Sequence, residues 1–162
     1  MSDAAKLREV FILMNPAVRQ ASYKDLKAIQ RIVDAAYEHY TSRIGKRPAP
    51  MADDYATHVA SGNVWVLLIE GEVIGVIVLL TGPDHLLLDN VAVVPAKQHQ
   101  GFGRFLIGFA EEVARQRGYG EIQLYTNELM HENLALYSKL GYQEFSRRVE
   151  SGFKRVFLRK QL

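Results

Sequence analysis

The spacing of hydrophobic and polar residues predicts an amphipathic helix in the first third of the chain. Apolar side chains recur at steps of three and four residues between Leu26 and Tyr40, which places them on one face of a helix. Ser22 and Asp25 precede this stretch at the spacing of a capping box, so we expect the helix to begin close to them. A second, shorter helix is expected to begin near Asp53.

Three predicted strands follow these helices. The runs Val64–Ile69 and Val73–Leu80 are almost continuously apolar and are joined by a short polar turn, which is typical of a hairpin. Gly75 lies inside the second run and indicates a β-bulge. The third strand, His85–Val94, is bounded by Pro95, which cannot donate a backbone hydrogen bond to a neighbouring strand.

The second half of the chain alternates between helical and strand patterns. An apolar stripe at helical spacing begins at Phe102 and ends at a glycine cap. Glu121–Tyr125 alternates like a strand, and Leu134–Leu140 returns to helical spacing. Tyr142–Val149 and Phe153–Arg159 flank a Glu-Ser-Gly turn and predict a final hairpin. We therefore expect one mixed α+β fold, because no repeat or linker divides the chain.

Length and composition are those of an ordinary single-domain protein. The chain has 162 residues, and 20 Lys and Arg against 18 Asp and Glu leave a formal charge of +2. So small a surplus does not support a nucleic-acid partner. No apolar run approaches the roughly 20 residues of a membrane-spanning helix. We expect a cytoplasmic protein with no membrane partner.

Several kinds of chemistry are excluded by residues that the chain lacks. It has no cysteine, which removes disulfides, thiolate metal sites and a cysteine nucleophile. Its five histidines show neither His-x-x-x-His spacing nor adjacent acidic ligands, so no metal site is expected.

The most informative segment joins the third strand to the following helix and reads Gln98-His99-Gln100-Gly101-Phe102-Gly103-Arg104. The first N–H groups of a helix have no intrahelical partner, and the helix dipole favours an anion beside them. Two glycines would let a phosphate approach the backbone, and Arg104 is a cation where the dipole alone disfavours one. A phosphate-binding turn is one interpretation, and a glycine-shaped loop with a solvated arginine is the other.

Familiar nucleotide-binding motifs do not match this segment. A dinucleotide-binding fingerprint would need a third glycine where the chain has Leu106, and the Gly-Lys-Ser/Thr of a P-loop occurs nowhere.

Two stretches in the right order resemble the GNAT superfamily of acetyl-CoA-dependent N-acetyltransferases. Gln98-x-x-Gly101-x-Gly103, preceded by Leu88–Pro95 and followed by a helix, resembles the acetyl-CoA motif. Asn133–Tyr142 resembles the second, C-terminal motif of the superfamily. The similarity covers the chain from about Val18 to its end. Residues 18–162 are therefore expected to form one N-acetyltransferase domain. Residues 1–17 would be an N-terminal extension, either a disordered lead-in or an extra strand.

The resemblance implies an α+β fold with a central, mostly antiparallel, twisted sheet of six to seven strands flanked by helices. It also implies that two neighbouring strands separate near Val91–Val94 and Glu121–Tyr125, which opens a slot for the pantetheine arm of CoA. Backbone groups in the slot would then be unpaired until the cofactor binds.

The resemblance assigns a role to individual residues. The strand at residues 91–93 would pair with the pantetheine arm, and backbone N–H groups of the turn would hold the pyrophosphate. The expected cofactor-binding residues are Val91, Ala92, Val93, Gln98, His99, Gln100, Gly101, Phe102, Gly103, Arg104 and Asn133. Many family members place the asparagine seven residues before the catalytic tyrosine, where this chain has Met130, whereas Asn133 lies four before.

Tyr137 matches the tyrosine whose hydroxyl protonates the departing thiolate in the family. Its helical spacing alone favours a core residue, which is the alternative. The acceptor amine also needs a base, because a lysine-like pKa of about 10.4 keeps it protonated near pH 7. Asp89, on the strand leading to the turn, is the first candidate, with a solvated carboxylate as the alternative. Glu128 and Glu72 are weaker candidates.

The basic stretch from Tyr40 to Tyr55 carries Arg43, Lys46 and Arg47. It is a candidate cap that reads a carboxylate or phosphate on the acceptor, or else a solvated loop.

The sequence and the resemblance together predict an acyltransferase. It would move an acetyl group from acetyl-CoA to a primary amine of a small molecule or peptide by direct attack, and a homodimer is common among similar proteins. A CoA-binding sensor or scaffold without catalysis is the alternative, since it would share the phosphate-binding turn. A nucleic-acid binder would depend on Arg147-Arg148 and Lys154-Arg155, the only contiguous basic patch.

Overall fold

A single seven-stranded sheet forms the centre of the molecule, which we describe from a computed structural model over residues 2–162. The strands are β1 (Ala17–Gln20), β2 (Val64–Ile69), β3 (Glu72–Thr81), β4 (Leu86–Val93), β5 (Glu121–Asn127), β6 (Gln143–Glu150) and β7 (Phe153–Gln161). Their spatial order is β1-β2-β3-β4-β5-β7-β6. The helices are α1 (Asp3–Leu13), α2 (Leu26–Tyr37), α3 (Tyr40–Ile44), α4 (Tyr55–Ala60), α5 (Phe102–Gln116) and α6 (His131–Lys139).

The capping box predicted at Ser22 and Asp25 is present at the start of α2. The Asp25 carboxylate accepts a hydrogen bond from the backbone N–H of Ser22 at 2.8 Å and two from Arg19 at 2.8 and 3.0 Å. These bonds lower the pKa of Asp25, with the Arg19 side chain as the largest cause. The beginning of α2 is therefore tied to β1.

Helices cover both faces of the sheet and divide the core into two clusters. On one face α2 and α4 pack on β2 and β3, with Ile29, Ile32 and Val33 fully buried. On the other face α5 packs on β3, β4 and β5, with Leu106 and Ile107 buried against them. The helices α2 and α5 each pack on the sheet through the apolar stripe that the sequence predicted.

The sheet is antiparallel except where β4 meets β5. These two strands run parallel and pair only over Leu86–Leu88 and Ile122–Leu124. They separate from Asp89 and Tyr125 onward, so the predicted opening in the sheet is present. It begins later on β5 than we expected, because Ile122 and Leu124 are buried in the core beside Leu86 and Leu88 and stay paired with β4.

The strand pairing among the described residues shifts register at three places, in β2–β3, β3–β4 and β6–β7. The bulge predicted at Gly75 is present, since Leu67 and Leu68 face Gly75 and Val73 and leave Ile74 as the extra residue. The second bulge was not predicted. Val78 faces Asn90 while Leu79 faces Leu88, so Asp89 is the extra residue of β4.

The bulge at Asp89 reverses which face of the sheet each β4 side chain occupies. Leu86 and Leu88 belong to the core under α5, whereas Ala92 belongs to the core under α2. A shift of one residue in a strand moves every following side chain to the other face. The bulge therefore lies where β4 leaves β5, and it orients the residues that line the opening.

In the predicted N-terminal extension, Asp3–Leu13 forms the helix α1. The expectation of a disordered lead-in or an extra strand was therefore wrong for these residues. The Ser2 side chain accepts a hydrogen bond from the Ala5 N–H, which caps the helix. Phe11 packs on the rings of Phe102 and Phe105 at centroid distances of 5.1 and 5.5 Å. The helix thus rests on the first turn of α5.

None of the helices within residues 2–162 combines the length and the apolar composition that crossing a membrane requires.

Candidate active site

The turn between β4 and α5 presents a row of unpaired backbone donors. The N–H groups of residues 99–104 donate to no acceptor within residues 2–162, whereas the Phe105 N–H closes the first helical bond onto the Gly101 carbonyl at 3.0 Å. His99 and Gly101 have left-handed backbones, with φ of 63° and 93°. Alternation of left- and right-handed residues turns successive N–H groups toward one concave point, which suits an anion.

The side chains of this turn play different parts. Gln98 donates to the Val93 carbonyl at 2.9 Å and Gln100 to the Ala96 carbonyl at 3.2 Å, so both brace the turn. The Phe102 ring is buried in the core, which leaves only its N–H for a ligand. Arg104 is exposed and forms no ion pair in the described chain, so the predicted cation at the helix start is free to meet an anion.

A cleft of about 440 Å³ runs from this turn along β4 to α6. Val91, Ala92, Val93, Asn133 and Tyr137 line it, together with Gln98, His99, Gly101, Gly103 and Arg104 of the turn. The Val94 N–H donates to the Ile74 carbonyl on β3. Since successive residues of a strand point their N–H groups in opposite directions, those of Val91 and Val93 face the opening.

A second, smaller cavity of about 50 Å³ is lined by residues of both β4 and β5. Its walls include Leu88, Asp89, Tyr125, Phe153 and Arg155, and Pro48 and Pro50 from the segment before α4. Four residues, Tyr37, Val91, Asn133 and Tyr137, line both this cavity and the cleft. The two spaces therefore meet at Tyr137.

Tyr137 is 5% exposed, and its ring packs edge-on against Tyr142 at 5.9 Å. Its hydroxyl makes no hydrogen bond within residues 2–162, yet no buried side-chain polar atom in that range lacks a partner. The hydroxyl must therefore be open to the space that it lines. Burial raises the pKa of Tyr137, so the phenol keeps its proton at neutral pH.

Asp89 is half-buried in the wall of the small cavity. The Tyr125 hydroxyl donates to its carboxylate at 2.6 Å. Burial raises the pKa of Asp89 above its ordinary value, and the Tyr125 hydrogen bond opposes this rise. A carboxylate with a raised pKa is a stronger base than a solvated one. Because Asp89 is half-buried, the alternative of a fully solvated carboxylate does not hold.

Asp53 and His58 lie beside Asp89, an arrangement that no pattern along the chain indicated. The His58 imidazole contacts the Asp53 carboxylate at 3.0 Å, and one ligand atom from each of Asp53, His58 and Asp89 lies within 4.8 Å of the others. The prediction that no histidine stands beside acidic groups was wrong for His58 and also for His85, whose ring contacts the Asp84 carboxylate at 2.6 Å. One imidazole and two carboxylates form a donor set that can take up a divalent cation or a proton.

A buried network that sequence reasoning missed joins α2 and α4 to β4. The Tyr37 hydroxyl donates to the Asn90 side-chain oxygen at 2.6 Å. The Asn90 amide donates to the Tyr55 hydroxyl at 3.0 Å, and that hydroxyl donates to the Pro50 carbonyl at 2.5 Å. The Tyr37 hydroxyl also reaches the Val91 carbonyl at 3.1 Å. The network fixes the wall shared by the two cavities, and only the fold brings its members together.

The basic residues of the predicted cap are engaged within the protein. Arg43 forms two hydrogen bonds with Glu132 on α6 at 2.8 and 2.9 Å and holds the pKa of Glu132 at about 2. Arg47 pairs with Asp34 at 3.4 Å, and Lys46 donates to the Gly152 carbonyl at 2.6 Å. Arg43 therefore ties α3 to α6, and its predicted contact with an acceptor anion has no support in the structure.

The weaker base candidates lie away from both cavities. Glu72 is exposed at the start of β3. Glu128 lies 3.9 Å from both Arg147 and Lys154. The arginines of the last hairpin form ion pairs within the protein: Arg147 also pairs with Glu144, whereas Arg148 and Arg155 share Glu150.

Comparisons with known proteins agree with this geometry. The Acetyltransferase (GNAT) family model matches residues 26–142. The uncharacterized N-acetyltransferase YjgM of Escherichia coli strain K12 is 31% identical over 138 residues, which cover 80% of this chain and 83% of that protein. N-acetyltransferase family 8 member 3 of Rattus norvegicus is 31% identical over 102 residues, which are 58% of this chain and 45% of the rat protein.

A solved structure shows the same fold. The PaiA N-acetyltransferase of Thermoplasma acidophilum, solved in complex with coenzyme A, superposes with a TM-score of 0.76 at 16% identity and covers 91% of this chain and 99% of its own. The predicted resemblance and the predicted mostly antiparallel sheet flanked by helices are both confirmed. On the family match over most of its length and on its fold, the chain belongs to the GNAT family of N-acetyltransferases and is an acyltransferase.

Proposed function

We propose that the protein transfers an acetyl group from acetyl-CoA to a primary amine of a small molecule or peptide by direct attack on the thioester. The observation that carries the proposal is the junction at Tyr137. There the cleft that starts at the anion-binding turn meets the small cavity that holds Asp89. One space suits the acetyl donor and the other the acceptor, so the two substrates would meet without a covalent enzyme intermediate.

The residues of the cleft fit CoA. The free N–H groups of residues 99–104 suit its pyrophosphate, and Arg104 adds a positive charge beside them. The inward N–H groups of Val91 and Val93 suit the amide carbonyls of an extended pantetheine arm. Gln100 and Phe102 would contribute through their backbone alone. Asn133 lines the cleft, and its amide has a single weak partner, the Met130 sulfur at 3.6 Å.

The reaction removes two protons from an acceptor ammonium, one before and one after the amine attacks, and supplies one proton to the departing sulfur. Deprotonating a lysine-like amine at pH 7 costs about 4.6 kcal/mol, which a base within reach offsets. Asp89 takes the proton from the acceptor ammonium, the amine nitrogen bonds to the thioester carbonyl carbon, and the carbon–sulfur bond breaks. Tyr137 donates its proton to the sulfur. The acylated nitrogen then loses its second proton, which returns Tyr137 to the phenol through solvent, and Asp89 releases the proton that it first took. The net products are the amide, CoA thiol and one proton.

The proposal is tested by an acetyl-transfer assay that reads CoA release over a panel of primary amines. We expect release that depends on both the amine and the enzyme, and saturable binding of CoA in a separate titration. Binding of CoA with no transfer to any amine would leave the non-catalytic CoA-binding module as the function. A flat CoA titration up to millimolar concentration would contradict both. The homodimer, the cytoplasmic location and the domain boundary at residue 18 stay predictions.

A further inference from the structure

We propose that the acceptor carries a carboxylate beside its primary amine, as a free amino acid does, and that Arg155 binds this carboxylate. The inference rests on the proposed function and names the class of acceptor. The contact with an acceptor anion, which the sequence suggested for the basic stretch from Tyr40 to Tyr55, is thereby assigned to the last hairpin.

Arg155 is the only cation among the described residues that line the small cavity. Its side chain is 15% exposed, and its guanidinium lies over the Tyr125 ring at 4.4 Å. It forms one hydrogen bond, from one terminal nitrogen to Glu150 at 2.9 Å. A guanidinium has five N–H donors. Since no buried side-chain nitrogen in residues 2–162 lacks a partner, the remaining donors of this cavity-lining residue must be accessible to solvent.

The charges around Arg155 leave a positive surplus. Glu150 accepts hydrogen bonds from both Arg148 and Arg155, so one anion faces two cations. The Lys46 ammonium lies 4.0 Å over the ring of Phe153, another lining residue, and pairs with no acidic side chain in the described chain. This end of the cavity therefore attracts an anion.

Tyr125 separates this positive end from the proposed base. Its hydroxyl contacts the Asp89 carboxylate at 2.6 Å, while its ring face carries the Arg155 guanidinium. An anion and a cation thus lie at two sides of a single aromatic side chain. A small zwitterion can place its ammonium at Asp89, facing Tyr137, and its carboxylate at Arg155.

The size of the cavity favours a small acceptor. About 50 Å³ holds only a few heavy atoms beyond the reacting amine. The backbone of a polypeptide N-terminus would also leave Arg155 facing a neutral peptide group. A planar, bidentate contact between a guanidinium and a carboxylate is the stronger match.

The experiment compares matched acceptors in the same CoA-release assay. Each α-amino acid is paired with its carboxamide and with the amine that lacks the carboxyl group. We expect the wild-type kcat/KM to favour the amino acid by about 10- to 100-fold, the range of a charge-assisted hydrogen-bond pair. Arg155→Gln should remove this preference mainly through the KM for the amino acid, so that within the variant kcat/KM for the amino acid falls toward that for its carboxamide.

Arg147→Gln is the matched control, because Arg147 is on the same hairpin and is ion-paired but lines neither cavity. It should keep the wild-type preference. CoA binding by Arg155→Gln shows that the variant is folded, and the wild-type comparison needs no variant at all. Equal turnover of amino acid and carboxamide by the wild type, or an unchanged preference in Arg155→Gln, would overturn the inference. Turnover of amines that lack a carboxylate, with no turnover of amino acids, would overturn the inference and leave the proposed function standing. The absence of any transfer would contradict both the inference and the proposed function.

Discussion

Burial sets the chemistry of the two proposed catalytic residues. Tyr137 and Asp89 both have raised pKa values because they are shielded from water. The raised pKa has a different consequence for each of the two proposed roles. A raised pKa keeps the Tyr137 proton available for a departing thiolate. It also makes Asp89 a better acceptor of a proton near neutral pH. Burial therefore leaves Tyr137 in the protonated form that a proton donor needs and makes Asp89 more basic than a solvated carboxylate.

Replacement of Tyr137 by phenylalanine should lower kcat by about 10²- to 10⁴-fold, the usual contribution of a general acid. The packing on Tyr142 would survive, and no hydrogen bond within the described chain would be lost. CoA affinity and the unfolding midpoint should therefore stay close to wild type, as measured by titration and thermal melting. Unchanged turnover would mean that Tyr137 serves packing alone.

Replacement of Asp89 by asparagine should abolish most activity at pH 7 and restore part of it at alkaline pH, where the amine loses its proton without help. In the wild type the acid limb of the pH–rate profile should lie above the ordinary carboxyl pKa of 3.8, because burial raises the pKa of Asp89. Tyr125→Phe removes the hydrogen bond that opposes this rise, so it should move the acid limb to higher pH.

A wild-type rate at pH 7 in Asp89→Asn, with CoA binding intact, would remove Asp89 from the mechanism. Chelator treatment of the wild type supplies a separate control for Asp53 and His58. Lost activity that a divalent cation restores would identify the three side chains as a metal site instead.

At the scale of elements, the first turn of α5 is a place where a substitution can weaken CoA binding without lowering the stability of the fold. A methyl group added at Gly103 meets no protein atom within 4 Å, and Gly103 has no left-handed backbone that an alanine would strain. The fold therefore does not require this glycine. The space beside it belongs to the cleft, which is where the proposal puts the pyrophosphate.

Gly103→Ala should accordingly weaken CoA binding by about tenfold or more, the loss expected when a charged hydrogen bond is blocked, without lowering the unfolding free energy. Gly108→Ala is the matched control, since Gly108 lies in the same helix and also has open space around it. It should leave CoA binding unchanged and raise stability by up to about 1 kcal/mol through helix propensity. Equal CoA affinity in both variants, measured by calorimetry, would place the pyrophosphate elsewhere.

Most elements could be predicted from the sequence, because each depends on local signals. The capping box at Ser22 and the hairpin turns act over a few residues, and the bulge beside Gly75 was visible for the same reason. The bulge at Asp89 was not visible, since nothing local distinguishes it from a regular strand residue. It depends on long-range pairing, because β4 stays paired with β3 along its length while it separates from β5.

At the scale of the whole molecule, the site is a product of topology. Residues far apart in the chain meet in it: Tyr37 from α2 bonds to Asn90 on β4, and Arg155 on β7 lies over Tyr125 on β5. Contacts of this kind follow from strand order and cannot be read from spacing along the chain. For the same reason the pairing of Arg43 with Glu132, 89 residues away, was not predicted.

The opening between β4 and β5 also ties ligand binding to global stability. Within residues 2–162 only three residue pairs link these strands, and they are the sole parallel pairing in the sheet. A ligand held by α5 on one side and along β4 on the other binds the folded state alone. At a CoA concentration of 100 times Kd it should add about 2.7 kcal/mol to the free energy of unfolding.

For a domain of this size, that gain corresponds to a rise in Tm of about 5–11 °C. Pantetheine, which lacks the pyrophosphate, should give a much smaller rise at the same concentration, because it cannot use the N–H groups of residues 99–104. Gly103→Ala should reduce the CoA-induced rise toward that of pantetheine, while Gly108→Ala should not. An equal rise with pantetheine and CoA would show that the stabilisation comes from the strands, and that the turn before α5 does not bind the pyrophosphate.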